Sequence, residues 1–284
     1  VTKPFLSRIL WIACAGLTFA SVGFAADSEV GVLVMADGGP RAWTKIVTKT
    51  VKGSVISYPT RVFFGPGDSA VQQGILQDYV RDLEDNGVHT LVVIPMIISP
   101  YTPVYRQWKY LLGLDVQAGY NSTPLFPIEK HASIRFAEPL NDSAVVLEIL
   151  LDRIQEISRK PVEESVVIVS PGARDGGDNA RWMQTMQRLC TRITERGGYK
   201  TVTAATLRDD APSDDRQHAL QILRHDVESI QQNGGRALVV PLMLSEGGIE
   251  HKISLELRGI AYTYNNKPLL PDARMSEWIR SQLP

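Results

Sequence analysis

The sequence has little cysteine and no surplus of either charge. Cys14 and Cys190 are its only two cysteines in 284 residues. Their spacing fits neither a disulfide framework nor a cysteine zinc site. Basic residues number 30 and acidic residues 31, a formal net charge of −1. So close a balance gives no basic face, and nucleic acid is not an expected partner. The dinucleotide fingerprint G-x-G-x-x-G and the phosphate loop are both missing, so no nucleotide cofactor is expected. There is one stretch with the marks of a targeting segment. Lys3 and Arg8 precede the apolar run Ile9 to Phe24, and Gly23-Phe24-Ala25 supplies the small residues a signal peptidase reads. Residues 1–25 therefore read as an export leader. An uncleaved anchor is the alternative, although the run is short for a spanning helix. With the leader removed, the protein is expected to be periplasmic or secreted, with no stable membrane span and Cys190 as its one thiol.

What is present is a strongly patterned α/β chain with 44% hydrophobic residues. Glu29–Ala36, Thr60–Phe64, Val88–Ile98, Ser165–Val169, Thr201–Ala205 and Ala237–Leu244 read as strands. Most of these are near-continuous apolar runs, as expected for parallel strands buried on both faces. Stretches with apolar residues every three to four positions alternate with them and read as helices. The order strand, glycine turn, helix, strand, helix, strand occurs twice. Leu91-Val-Val-Ile-Pro-Met-Ile-Ile-Ser99 answers Leu238-Val-Val-Pro-Leu-Met-Leu-Ser245, and Val32 to Gly38 answers Val167 to Gly172. A tandem duplication explains this, with an N-terminal α/β lobe at 29–160 and a C-terminal α/β lobe at 164–284. Each lobe is expected to be a parallel sheet flanked by helices, with a cleft between the carboxyl ends of the strands.

The stretch Arg236 to His251 concentrates the candidate chemistry. Its strand runs into Ser245-Glu-Gly-Gly248, where two residues without Cβ allow a ligand close approach. Glu250 and His251 follow at a helix start. Open α/β sheets place ligands at such strand ends. A plain glycine turn with a surface histidine accounts for the same residues. The remaining histidines read as surface or turn residues; His218 and His225, seven apart on one helix, lie too far apart to share a metal. Tyr101, Tyr105, Tyr110 and Trp108 could wall a flat ring, whereas Trp43 reads as core. Arg41, Arg106 and Arg174 could each pair with a ligand carboxylate, or be ordinary solvated arginines.

Taken together, these segments resemble the class II tetrapyrrole chelatases, the sirohydrochlorin cobaltochelatase and ferrochelatase family. The resemblance covers nearly the whole chain after the leader. It rests on Gly31-Val-Leu-Val-Met-Ala-Asp-Gly-Gly39, Val167 to Ala180, Leu91 to Ser99 with the helix after it, and Val239 to Gly248. It implies insertion of a divalent metal, Co2+ or Fe2+, as substrate into a tetrapyrrole held between the lobes. Asp37 stands where the family carries a first-strand histidine, Pro171 at the matching place in the second half, and Tyr101 at a later turn. The resemblance then implies Asp37 and His251 as metal ligands, with Glu250 joining them as proton acceptor. Tyr101, Tyr105, Arg106, Gly247 and Gly248 are the implied ring-binding residues. A borderline imidazole and harder carboxylates both suit divalent cobalt and iron. The alternative implied by the replaced histidines is a periplasmic protein that binds metal or tetrapyrrole without catalysis.

Overall fold

The computed structural model describes residues 29–54, 56–117 and 124–284; the expected leader lies outside them. In chain order the elements are β1 (Val30–Ala36), α1 (Arg41–Gly53), β2 (Thr60–Phe64), α2 (Ala70–Asp85), β3 (Thr90–Met96), α3 (Pro103–Leu111), β4 (Ser133–Phe136) and α4 (Ala144–Gln155). A 3-10 turn at Pro161–Glu163 leads into β5 (Glu164–Ser170), α5 (Gly176–Gly197), β6 (Thr201–Thr206), α6 (Ser213–Gln232), β7 (Arg236–Pro241), α7 (Ile249–Glu256), β8 (Thr263–Tyr264) and α8 (Ala273–Ser281). Two four-stranded sheets result, ordered β2-β1-β3-β4 and β6-β5-β7-β8, with every pairing parallel. The duplicated α/β architecture is therefore present, and the two sheets repeat the same strand order.

Local chemistry explains most element ends. Ser69 accepts the Gln72 N–H and caps α2, and Thr102 does the same for α3 through Tyr105. Gly198 closes α5 in the left-handed conformation. Ser213 is the first residue of α6; Pro212 holds the cap position and gives no side-chain bond. Strand β7 ends at Pro241, three residues earlier than its apolar run. Beyond Pro241, Leu242 to Leu244 stay apolar for another reason: they line the cleft.

Alternate residues of the central strands face two different layers. Leu33, Met35, Leu91 and Val93 pack against α2 and α3. Val167, Val169, Ala237 and Val239 pack against α6 and α7. The other faces of both sheets belong to one continuous core. Val32, Val34, Val92 and Ile94 from the first sheet join Val166, Ile168, Leu238 and Val240 from the second, through Trp43, Leu147, Trp182, Met186 and Trp278.

Two helices cross between the halves to complete this core. Helix α4 packs on β7 and α5, in the second half. Helix α8 returns to α1, where Ser276 Oγ donates to the Thr50 carbonyl at 2.8 Å and Arg280 Nε donates to the Ser54 carbonyl at 3.1 Å. Ion pairs add to the junction. Arg188 Nε lies 2.6 Å from Asp142 Oδ2, and Arg196 pairs with Glu148. Arg106 of α3 meets Asp178 of α5 at 2.5 Å, and Arg181 reaches the same carboxylate oxygen. Asp178 is only 3% exposed. Burial pushes its pKa up, but the Arg106 and Arg181 guanidiniums outweigh that and hold it below the usual aspartate range.

Trp278→Ala should cost about 3 kcal/mol. Urea denaturation should still show a single transition, because Trp278 supports a core shared by both sheets; two separate transitions would contradict that sharing. Asp178→Asn should destabilise by about 2 kcal/mol at neutral pH. That is less than for a fully buried pair, because Arg181 is half exposed. Since the folded-state pKa is depressed, this contribution is complete above the unfolded aspartate value of about 3.9 and fades as pH falls through the folded one. Denaturation of both proteins along an acid series should show the gap closing there; a gap unchanged by acid would reject the ion-pair account.

Candidate functional site

In each sheet the chain turns one way after the first strand and the other way after the third. This makes a switch point between β1 and β3, and another between β5 and β7. Crevices form at such points, outside the carboxyl ends of the strands. Here the two crevices join into one cleft of about 690 Å³. Its walls are Asp37–Pro40 after β1, Met96–Ser99 after β3, Pro171–Arg174 after β5 and Leu242–Gly247 after β7, with Asp210 from the loop after β6. Trp43 and Trp182 line it from α1 and α5. Met96, Ile98, Leu242, Trp43 and Trp182 also belong to the shared core, so the cleft floor is the upper surface of that core.

The turns at the rim are held from below. Trp43 Nε1 donates to the Asp37 carbonyl at 2.7 Å, and the Gly38 N–H donates to Asp37 Oδ1 at 2.7 Å. Across the cleft, Arg208 donates from Nε to the Ala173 carbonyl at 3.2 Å and from Nη2 to the Arg174 carbonyl at 2.9 Å. Gly172 has φ of +77°, and a Cβ there would meet Thr206 Cβ at 2.6 Å, so this turn requires glycine.

Asp37 is exposed to the cleft at the tip of its turn. The walls around it withdraw water, which raises its pKa. The Gly38 N–H opposes that rise and the nearby Asp68 carboxylate adds to it. Asp210 and Glu246 are also exposed at the lining, as is Arg174. The rim thus offers carboxylates above an apolar floor, a donor set compatible with a divalent cation passing over a flat apolar ligand.

Of the residues singled out from the sequence, Asp37, Trp43, Pro171, Arg174 and Gly247 line the cleft. Gly248 sits just behind, in the left-handed conformation, and caps α7. The trio Asp37, Glu250 and His251 is not assembled. His251 is exposed on α7, and among the described residues no three His, Cys, Asp or Glu side chains group to hold a metal. Glu250 turns back on its own loop: Oε2 accepts the N–H groups of Gly247 at 3.3 Å and Gly248 at 3.1 Å. Its Oε1 is buried without a hydrogen-bond partner among the described residues. Glu250 therefore shapes the glycine turn in this structure.

The ring-binding expectations also shift. Arg106 is engaged by Asp178 and does not line the cleft. Tyr105 packs edge-on to Phe136, with centroids 5.6 Å apart at 85°, and burial, reinforced by Glu138, pushes its hydroxyl up to about 12. Tyr101 lies under the Arg181 guanidinium at 5.4 Å and packs against the shared core. Thr102, Pro103 and Val104 line the cleft in place of these tyrosines. Sequence reasoning missed Trp182, Asp210 and Glu246. The internal repeat held a signal for Trp182, because Trp43 and Trp182 both stand near the start of the helix after the first strand of a half.

The chain matches no protein-family model and no curated protein. Its fold does match solved structures. SirB from Bacillus subtilis, solved with Fe3+, aligns with a TM-score of 0.63 at 14% identity, over 89% of this chain and 93% of that one. DR2241 from Deinococcus radiodurans is a multi-domain protein with structural similarity to chelatases and two additional novel domains. It aligns with a TM-score of 0.53 at 12% identity, over 89% of this chain; the chain spans only 55% of DR2241's length. The two parallel four-stranded sheets and their flanking helices thus form a chelatase-type fold.

Proposed function

We propose that this chain is a chelatase-type protein. It holds a tetrapyrrole in the interlobe cleft and brings a divalent metal, Co2+ or Fe2+, to it as substrate, in cobalamin- or sirohaem-type biosynthesis. One observation carries the reading: the cleft joins the switch points of both sheets, with an apolar floor beneath the Asp37 carboxylate. Two tryptophans and the strand-end methionines Met96 and Met243 offer contact to the faces of a planar ring. Asp37, at the rim, would replace part of the water around the incoming cation and take up a proton displaced from the ring. Asp210 and Glu246 lie on the same lining and would share the cation's approach. The SirB structure with Fe3+ supports a metal as the other substrate; cobalt rests on the sequence resemblance alone. The leader-like residues 1–25 support a periplasmic or secreted location.

A second reading has its own support. No preassembled metal group exists among the described residues. That favours a protein that binds the ring stoichiometrically, without turnover.

Anaerobic absorbance assays with sirohydrochlorin and excess Co2+ or Fe2+ separate the two. Chelation predicts many metallated rings per chain above the uncatalysed rate, and a loss of at least about tenfold in Asp37→Asn. Saturation at one ring per chain with no acceleration supports the binding protein. His251→Ala tests whether α7 contributes: full rate in that variant confines the metal path to the rim carboxylates.

A further inference from the structure

Helix α1 carries a charge pattern that its own stability does not explain. From Gly38 to Gly67 the chain holds five basic residues and no acidic one, although the whole sequence is nearly neutral. Four of the five, Arg41, Lys45, Lys49 and Lys52, recur every three to four residues and so share one face of α1. The opposite face, with Trp43, Val47 and Val51, is buried in the shared core. All four cations are exposed, and none is in an ion pair among the described residues. Cations on other helices are paired: Arg188 with Asp142, Arg196 with Glu148 and Arg224 with Glu228. Like charges four residues apart repel and weaken a helix, and a cation in the first turn, such as Arg41, opposes the helix dipole. The stripe therefore answers to something outside the helix.

Its position points to the cleft. Helix α1 begins directly after Asp37–Pro40, so Arg41 stands one residue beyond the lining. From there the stripe runs for about 16 Å along the helix axis. Thr44, Lys45, Thr48, Lys49 and Lys52 line a groove on this face. The cleft lining itself sets three acids, Asp37, Asp210 and Glu246, against the single base Arg174. Those acids suit an approaching cation and repel an approaching polyanion. Sirohydrochlorin, the ring of the reading above, is a polycarboxylate. We propose that the basic face of α1 draws in the carboxylates of the ring and steers this polyanion to the cleft, while the metal approaches over the rim acids. Two reactants of opposite charge then reach one site over different surfaces. This rests on the tetrapyrrole reading and adds the route by which the ring arrives. Steering of this kind acts on the association rate and weakens as salt shortens the screening length.

The test follows, by stopped flow, the quenching of tryptophan fluorescence by a metal-free octacarboxylate porphyrin. The purified protein is compared with a variant carrying Lys45→Gln, Lys49→Gln and Lys52→Gln. These positions are exposed and outside the cleft lining, and glutamine is a good helix former. Association with the parent protein should slow at least about tenfold between low salt and about 1 M salt. At low salt the variant should associate about fivefold more slowly than the parent and release the ring at the parent rate; at high salt the two should converge. Association of a tetracationic porphyrin should not slow in the variant, and equal slowing of both rings overturns an electrostatic role. An octacarboxylate association rate that the three substitutions leave unchanged, or that rises with salt in the parent, overturns the steering while leaving the tetrapyrrole reading intact. Phosphatidylglycerol vesicles that bind the parent but not the variant, with ring association unchanged, assign the face to a membrane and likewise overturn it. Absence of any quenching by the octacarboxylate ring overturns the tetrapyrrole reading, and the steering with it.

Discussion

The structure depends on one apolar layer common to both sheets. Each sheet has a private layer on its outer face, Leu33 and Leu91 over α2 and α3, Val167 and Val239 over α6 and α7. On the inner faces there is no boundary. Val34 and Ile168 belong to the same packed body as Trp43, Trp182 and Trp278. Apolar burial of this kind is non-directional and scales with area. Specific contacts must therefore set the relative placement of the halves. The buried Asp178 between Arg106 and Arg181 does so on one side, and the pairs of Arg188 and Arg196 with Asp142 and Glu148 do so on another.

The cleft follows from that layer. Where the strands end, the shared core meets solvent, and the residues that would be core elsewhere become its floor. This is why Leu242, Met243 and Leu244 continue an apolar run after β7 has ended. It also explains the different fates of two acids from the same reading. Asp37 sits at the tip of a turn braced by Trp43, so its carboxylate remains open to the cleft. Glu250 is the second residue of α7, near enough to the Gly247 and Gly248 N–H groups to be consumed by them.

Much of the fold was legible in the sequence because strands buried on both faces must be apolar throughout, and such runs stand out. β8 escaped because Thr263 and Tyr264 are too few to show a period. The exchange of α4 and α8 escaped because an amphipathic helix records which of its faces is apolar, not which sheet covers it. At the site, strand-end logic led to Asp37 and Gly247, and both line the cleft. It also led to His251, which is exposed on α7 and lies outside the lining of the cleft. Arg106 was legible as a cation but not as the partner of Asp178, 72 residues away. Asp210 and Glu246 belong to no spacing pattern; only the folded loops bring them to one rim.

The return of α8 to α1 has a consequence for the order of assembly. Val47 and Val51 on α1 are buried in a layer to which Met275, Trp278 and Ile279 contribute from the last turns of the chain. During synthesis, everything up to α7 can be made while that layer is still short of its last contributors. The first half therefore cannot reach its final packing ahead of the second. A polypeptide whose shared layer is completed only when α8 arrives remains pliable until then.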